Sequence, residues 1–219
     1  MSELEIYGYI VSQPLLSVLA FCNLSGIPYT FHEFDYLKRE DLTEEYAKIN
    51  PNQQVPAIIH NGYNLWESAA IIAYLADSYN IDNQWYPKDP KVRGRINAYL
   101  HWHHENIRNP ITSYLRAKIY RPKYSGAPQL TTETEAPYIE KLNEFYLKLT
   151  WILTDTHYVA RTAQPTIADI FAFNECASGK EIPLDFGMHP VIKAWHCEIE
   201  AIPEVKILDD AYFEAVKAF

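Results

Sequence analysis

Between Asn50 and Leu75 the chain reads NPNQQVPAIIHNGYNLWESAAIIAYL, and few backbones satisfy all of it. Val55-Pro56 opens an extended segment, because the residue before a proline is pushed out of the α region. A cis bond there would turn the Val55 N–H and C=O outward, free to pair with a ligand as an added strand. Ala57–Ile59 and Tyr63–Trp66 flank Asn61-Gly62, a strong short-range hairpin signal. Glu67-Ser68 then opens an apolar helix carrying Ala69, Ile71, Ile72 and Leu75. A helix N-terminus offers unpaired N–H groups and partial positive charge, which suits a carboxylate. Ser68 adds a hydroxyl donor, and Glu67 can pair with an ammonium. The stretch can therefore hold an extended peptide that ends in a free amino-acid group. It reads equally well as a strand, a hairpin and a capped helix with no ligand at all.

Around that stretch the chain changes period once. Leu4–Val11 reads as a strand, and an apolar helix follows from Leu15 to Leu24, stopped by Gly26-Ile27-Pro28. Tyr29–Phe34 alternates as a second strand, parallel to the first because a helix connects them. Tyr79–Pro90 is turn-rich and reads as a linker. Beyond Lys91 the pattern is helical throughout. Ile96, Leu100, Ile107, Ile111 and Leu115 mark a long helix that Pro110 should kink or split. Arg121–Pro137, with three prolines, reads as a loop. Ile139–Leu153 reads as the next helix, Thr166–Asp169 as a capping box, and Pro190–Ile199 and Leu208–Phe219 as the last helices. The expected fold is an α/β thioredoxin-like domain over 1–79, a linker over 80–90, and an all-α domain over 91–219.

The 219 residues allow one large or two small domains, and 48% hydrophobic with 21% charged residues is an ordinary globular composition. A net charge of −9 argues against nucleic acid as a partner, since phosphate binding needs clustered Lys and Arg. Cys22, Cys176 and Cys197 match no metal or disulfide spacing, which favours a reducing compartment. Neither a signal peptide nor an apolar run long enough to span a membrane is evident. The expectation is a cytoplasmic protein without a metal.

Ser12-Gln13-Pro14 follows the first strand, and Asn50-Pro51 leads into Val55-Pro56. Glu67-Ser68, Trp85-Tyr86-Pro87 and Pro165-Thr166-Ile167-Ala168-Asp169 come after in that order. This set resembles the cytosolic glutathione transferase family over essentially the whole chain. With Tyr99-Leu100-His101-Trp102 it looks most like the theta class, delta-type enzymes second. The resemblance implies an enzyme that activates the glutathione thiol for attack on small electrophiles, with glutathione as co-substrate, no further cofactor, and a homodimer. Ser12 would be the catalytic donor. An ordinary thiol has a pKa near 8.5, and lowering it by two units takes about 2.7 kcal/mol of preferential thiolate binding. One charge-assisted hydrogen bond plus a helix terminus supplies roughly that much. Read alone, Ser12 is an N-cap.

By the same resemblance Gln13, Arg39, Gln54, Val55, Pro56, Glu67 and Ser68 would bind glutathione. The Val55 backbone would take its cysteinyl unit, Glu67 and Ser68 its γ-glutamyl end, and Gln54 with Arg39 or Lys38 its glycyl end. The chain departs from the theta pattern there, offering Asp41 and Gln54 where basic or His side chains stand. Leu16 likewise replaces an arginine of many relatives. Ile10, Val11 and Arg108 would line the electrophile pocket, with Arg108 stabilising a leaving anion or serving as a solvated helix arginine. Tyr7 and Tyr9 rival Ser12, since other classes of the family use a first-strand tyrosine; as strand residues they read as packing. His101, His103 and His104 lack an acidic partner at ligand spacing apart from Glu105. Cys22 reads as core and Asp169 as a folding cap. The rival reading for the chain is a non-catalytic module of this family that binds apolar ligands or a protein partner.

Overall fold

The computed structural model describes residues 3–35, 38–177 and 186–217. They form two compact units, Met1–Arg93 with Ile202–Phe219, and Gly94–Ala201. The first is built on four strands: β1 (Leu4–Gly8), β2 (Thr30–Glu33), β3 (Ala57–His60) and β4 (Tyr63–Trp66). Their order is β2-β1-β3-β4, with β1 parallel to β2 and the other pairs antiparallel. The parallel pair is joined by α1 (Gln13–Ser25), as a crossover requires. Gly26, at φ 65°, ends α1 in a Schellman turn, its N–H on Asn23 and the Ile27 N–H on Cys22. Leu4 and Ile6 point to the buried face, and Ile58 joins them from β3. Asn61 and Gly62, at φ 51° and 79°, close the β3–β4 hairpin as the Asn-Gly pair implies. A short α2 (Glu44–Ala47) is capped by the Thr43 hydroxyl, which accepts from the Tyr46 N–H at 3.2 Å. α3 (Ser68–Ser78) buries Ile71, Ile72, Leu75 and Ala76 and packs on α1.

β1 stops at Gly8, three residues short of the expected end. The Ser12 N–H donates to the Tyr9 carbonyl at 2.9 Å, so Tyr9–Ser12 is a turn that feeds α1. The turn-rich stretch after Tyr79 is no slack tether either. Asn83 donates to the Ser25 hydroxyl at 3.1 Å and accepts from the Trp85 and Tyr86 N–H groups. Tyr86 is buried, with the Arg93 guanidinium 4.5 Å above its ring.

The second unit is helical. α4 (Pro90–His103), α5 (Asn109–Leu115) and α6 (Arg121–Ser125) follow one path, joined by π turns over His104–Arg108 and Arg116–Tyr120. Each π turn stands just before a proline, Pro110 or Pro122. A proline has no N–H and crowds the carbonyl four residues back; widening the turn absorbs both effects without breaking the helix. The expected loop over 121–137 is mostly helix: α6 ends at Gly126 (φ 65°), and α7 (Thr132–Thr156) already contains Pro137. Reciprocal capping between Thr131 and Thr134 starts α7 early, and Pro137 sits near that start, where few backbone bonds are lost.

α8 (Ile167–Ala177) and α9 (Pro190–Glu200) pack on each other through Asp169. Its fully buried carboxylate accepts from the Thr166 N–H at 2.9 Å, the Val159 N–H at 3.0 Å and the Trp195 indole at 3.0 Å. Burial pushes this carboxyl up to about 6 against those donors. The last helix, α10 (Pro203–Lys217), starts five residues before the expected Leu208, and the final two residues lie outside those described. α10 packs against α1 and belongs to the first unit. Periodicity cannot assign it, because an amphipathic stripe does not say which surface covers it.

Candidate active site

Most of the residues expected to hold a peptide thiol lie in the first unit, on the loops that leave β1 and enter β3. Ser12 is the N-cap residue of α1, with extended backbone (φ −93°, ψ 110°), and its carbonyl accepts the first helical bond from Leu16 at 3.0 Å. Its hydroxyl does not cap the helix. Gln13 and Pro14 form the first helical positions, and Pro14 has no N–H to satisfy. The half-buried Ser12 hydroxyl therefore stands at an uncapped helix N-terminus, where a negative charge is favoured. Gln13 is buried, and Ile10 and Val11 are half-buried in the same turn. Leu16 is buried in the core, so no cation stands at that position.

Gly8 joins this turn to the loop before β3. A Cβ on Gly8 would lie 3.2 Å from Leu15 Cδ2 and 3.3 Å from Val55 Cβ, closer than side chains ordinarily tolerate. The absence of that atom lets Val55 approach the start of α1. Val55-Pro56 is a cis bond. The ladder between β1 and β3 ends at Tyr7–Ala57, so Val55 lies beyond the paired strands. The Gln54 carbonyl accepts from the Tyr46 hydroxyl at 2.6 Å and the Asn50 amide at 2.7 Å. Asn50 is buried and also accepts the Asn52 N–H at 3.0 Å. The loop is thus held by its backbone while the Gln54 side chain stays exposed.

Glu67 and Ser68 stand at the N-terminus of α3. Glu67 is exposed and adopts φ 69°, ψ 107°, a conformation that costs a residue with a Cβ of the order of 1–3 kcal/mol. Such strain persists where surroundings over-determine it, and functional sites are where it collects. Ser68 is buried at the first helical position, and no side chain caps α3 either.

Two carboxylates occupy the rival tyrosines. Tyr7 donates to Glu5 at 2.6 Å and stacks on His32. Tyr9 donates to Asp41, and its hydroxyl is pushed up to about 12 by burial and by that carboxylate. Asp41 also takes Arg39 side-on, Nε to Oδ1 and Nη2 to Oδ2, both at 3.0 Å. Burial works to raise the Asp41 carboxyl, yet Arg39 and Tyr9 hold it below its ordinary value. Arg39, at φ 51°, is therefore already partnered, and Lys38 pairs with Asp35 at 2.9 Å. The Arg39–Asp41–Tyr9 linkage and the double hold on Gln54 escaped sequence reasoning. Their partners are separated in sequence by up to 32 residues, and no spacing rule connects them.

Arg108 belongs to the second unit, at the end of the first π turn, and is half-buried. His103 and His104 bring their rings within 4.2 Å, but His103 Nδ1 meets Glu175 at 2.5 Å. Among the described residues no group of three or more His, Cys, Asp or Glu is arranged to hold a metal ion. Cys22 is buried, which pushes its thiol up to about 12 and makes it a core residue.

The family described as glutathione S-transferase, N-terminal domain, matches residues 2–77. Glutathione S-transferase theta-1 of Mus musculus is 32% identical over 201 residues, which cover 90% of this chain and 82% of that protein. Among solved structures, human glutathione-S-transferase T1-1 in its apo form superposes with a TM-score of 0.87 at 28% identity, covering 97% of this chain and 89% of that one. Human glutathione transferase theta-2, in complex with glutathione and an unknown ligand, gives 0.82 at 27% identity, covering 98% and 91%.

Proposed function

Because the chain belongs to the glutathione S-transferase family, with theta-class relatives, we propose that it activates the glutathione thiol for nucleophilic attack on small electrophiles. The observation that carries this reading is Ser12, a hydroxyl at an uncapped helix N-terminus, beside a Val55 loop that Gly8 lets come close. The proton of the bound thiol leaves to solvent. The Ser12 hydroxyl donates a hydrogen bond to the remaining thiolate, and the α1 N-terminus adds favourable potential. The thiolate sulfur then forms a bond to the electrophilic carbon, and the leaving group departs with its electron pair. Serine is too weak an acid to be the base, so its part is to hold the anion.

Glutathione would lie along Val55 and Pro56 by backbone pairing, as an added strand. Its γ-glutamyl carboxylate goes to Ser68 and the α3 N-terminus, its ammonium to Glu67, and its glycyl end to Gln54 and the spare donors of Arg39. Gln13 borders the thiol. Ile10 and Val11 offer apolar surface to the electrophile. The bound glutathione of the theta-2 structure supports the ligand.

We place the chain in the cytoplasm as a homodimer. Its three cysteines are free, which suits a reducing compartment. In the second unit Trp102, Trp151 and Leu147 are exposed, and the two tryptophans with Arg95 and Arg161 line a hollow of about 520 Å³. A second copy would cover that surface. Sedimentation at a monomer's mass would remove the dimer. The activity is tested by glutathione-dependent turnover of alkyl halides, aryl halides and organic hydroperoxides. Retention on immobilised glutathione with no turnover of any of them would make the chain a binding module instead.

A further inference from the structure

The first unit holds a cavity that the proposed chemistry does not use. Successive side chains of a strand point to opposite faces, so Leu4 and Ile6 fill the core while Glu5 and Tyr7 stand on the other face of β1. Tyr7 is in register with His32 of β2, and the two rings stack at 4.6 Å. Glu5 fixes both, accepting from the Tyr7 hydroxyl at 2.6 Å and meeting His32 Nε2 at 2.8 Å. Phe34 continues the row 6.1 Å from Tyr7, and Tyr46 of α2 meets Phe34 edge-on at 4.9 Å. All four rings line one cavity of about 670 Å³, a size ordinary for a small-molecule site.

Its other polar lining is acidic. Glu33, Glu40 and Glu45 border the cavity, and among the described residues neither lysine nor arginine does. Glu40 holds the Asp35 N–H at 2.5 Å. Glu33 and Glu45 are exposed and make no ion pair with any described residue. Lys38 and Arg39, in the loop before Glu40, are paired with Asp35 and Asp41. Ring faces present the negative part of the aromatic quadrupole, and the two free carboxylates add negative field beside them. An anion is repelled at such a place, and a neutral ligand gains only apolar contact. A cation on an apolar arm gains both. An alkylated ammonium suits the rings better than a primary one, because its methyl groups lose little hydration on entering.

We propose that this cavity is a second ligand site, which takes an alkylammonium carried on an apolar arm. Tyr7, His32, Phe34 and Tyr46 receive its body, while Glu33 and Glu45 answer its charge. Glutathione, with two carboxylates to one ammonium, has the wrong charge for this cavity, so neither ligand excludes the other.

The probe is benzyltrimethylammonium, with benzyl alcohol and benzoate as its neutral and anionic counterparts, each titrated calorimetrically into the full chain at low salt. The expected result is binding of the cation at least ~10-fold tighter than of benzyl alcohol, with no uptake of benzoate. The double variant Glu33→Gln, Glu45→Gln should weaken the cation ~3–10-fold, leave benzyl alcohol unchanged and keep glutathione-dependent turnover intact. The same exchange at Glu133 and Glu140, exposed on α7 in the second unit, should change nothing. Saturating glutathione should leave the affinity for the cation unmoved. Failure of the cation to bind, or equal affinity for cation and alcohol, would overturn the proposal. An equal loss in the Glu133 and Glu140 variant would overturn it too, reducing the effect to the net charge of −9. A cation displaced by glutathione and weakened by Glu67→Gln would belong to the γ-glutamyl end and leave this cavity without a ligand.

Discussion

Replacing Ser12 with alanine separates two jobs that a serine in this place can do. A serine that caps its helix contributes about 0.5–2 kcal/mol, and losing it would destabilise the chain by that amount. Here the hydroxyl makes no capping bond, so the fold should lose less than about 0.5 kcal/mol. For a chain of this length that is a fall of under about 2 °C in the melting midpoint. Catalysis should suffer far more. A hydrogen bond to a charged group contributes about 1.5–3 kcal/mol. At about 1.4 kcal/mol per unit, its removal raises the pKa of the bound thiol by about 1–2 units. Because the anion is the stabilised form, the loss is largest at low pH and closes as the solution itself ionises the thiol. The expected result is a ~5–50-fold fall in kcat/KM at pH 6.5 that narrows to a few-fold above about pH 8.5. The assay is a pH–rate profile with one halide substrate, and thiolate absorbance of bound glutathione in the ultraviolet reads the same pKa directly. A melting midpoint lower by more than about 4 °C with an unmoved profile would return Ser12 to a mere cap. A profile moved by Tyr9→Phe instead would hand the role to the tyrosine.

Glu67→Gly should release the strain at φ 69° and stabilise the fold by about 1 kcal/mol, while weakening retention on immobilised glutathione ~10-fold; retention that survives would sink the γ-glutamyl placement. Gly8→Ala must push Leu15 or Val55 aside by a few tenths of an ångström, costing about 1–3 kcal/mol in urea unfolding and raising glutathione KM several-fold. An unchanged KM would show that the Val55 loop does not carry the peptide. Asp169→Ala strands the Thr166, Val159 and Trp195 donors at roughly 1–3 kcal/mol each, so little folded protein should be recovered, and a variant melting like wild type would refute the hub. Asp41 is held below its ordinary carboxyl value in the fold, so its contribution is present above about pH 4 and lost as pH falls further. Asp41→Asn should flatten that acid limb of the stability curve, and by freeing the Arg39 charge it should tighten glutathione about 3–10-fold. Weaker binding in Asp41→Asn would show instead that Asp41 aims Arg39.

The features legible in the sequence are those whose cause is local. Asn61-Gly62 sets its own backbone, Pro14 and Gly26 start and stop α1, and Thr166 with Asp169 caps a helix three residues on. Each acts within a turn or two, so spacing reveals it. Pro137 misled because proline is read as a breaker, whereas near a capped helix start it costs little. Tyr9 and Tyr7 read as strand packing or as rivals to Ser12, since nothing local says that a hydroxyl will find Asp41 or Glu5. The Glu175–His103 pair spans 72 residues and leaves no trace in either segment.

The same division runs through the candidate site. The thiol and γ-glutamyl ends proposed for it would depend on helix N-termini, a strained Glu67 and a close approach at Gly8, all properties of backbone that the fold itself sets. The proposed glycyl end would depend on charge carried by long side chains, and the fold has already committed that charge: Arg39 to Asp41, Lys38 to Asp35. An Arg–carboxylate pair keeps spare N–H donors but little net field, so it can orient a second carboxylate better than it can attract one. Binding should therefore respond to salt much less than a site with a free arginine. Glutathione and a variant lacking the glycyl carboxylate should differ by about 1 kcal/mol or less in affinity, against several for loss of the γ-glutamyl carboxylate. Competition assays with the two truncated peptides measure that asymmetry, and equal losses would mean that Arg39 exchanges Asp41 for the ligand on binding.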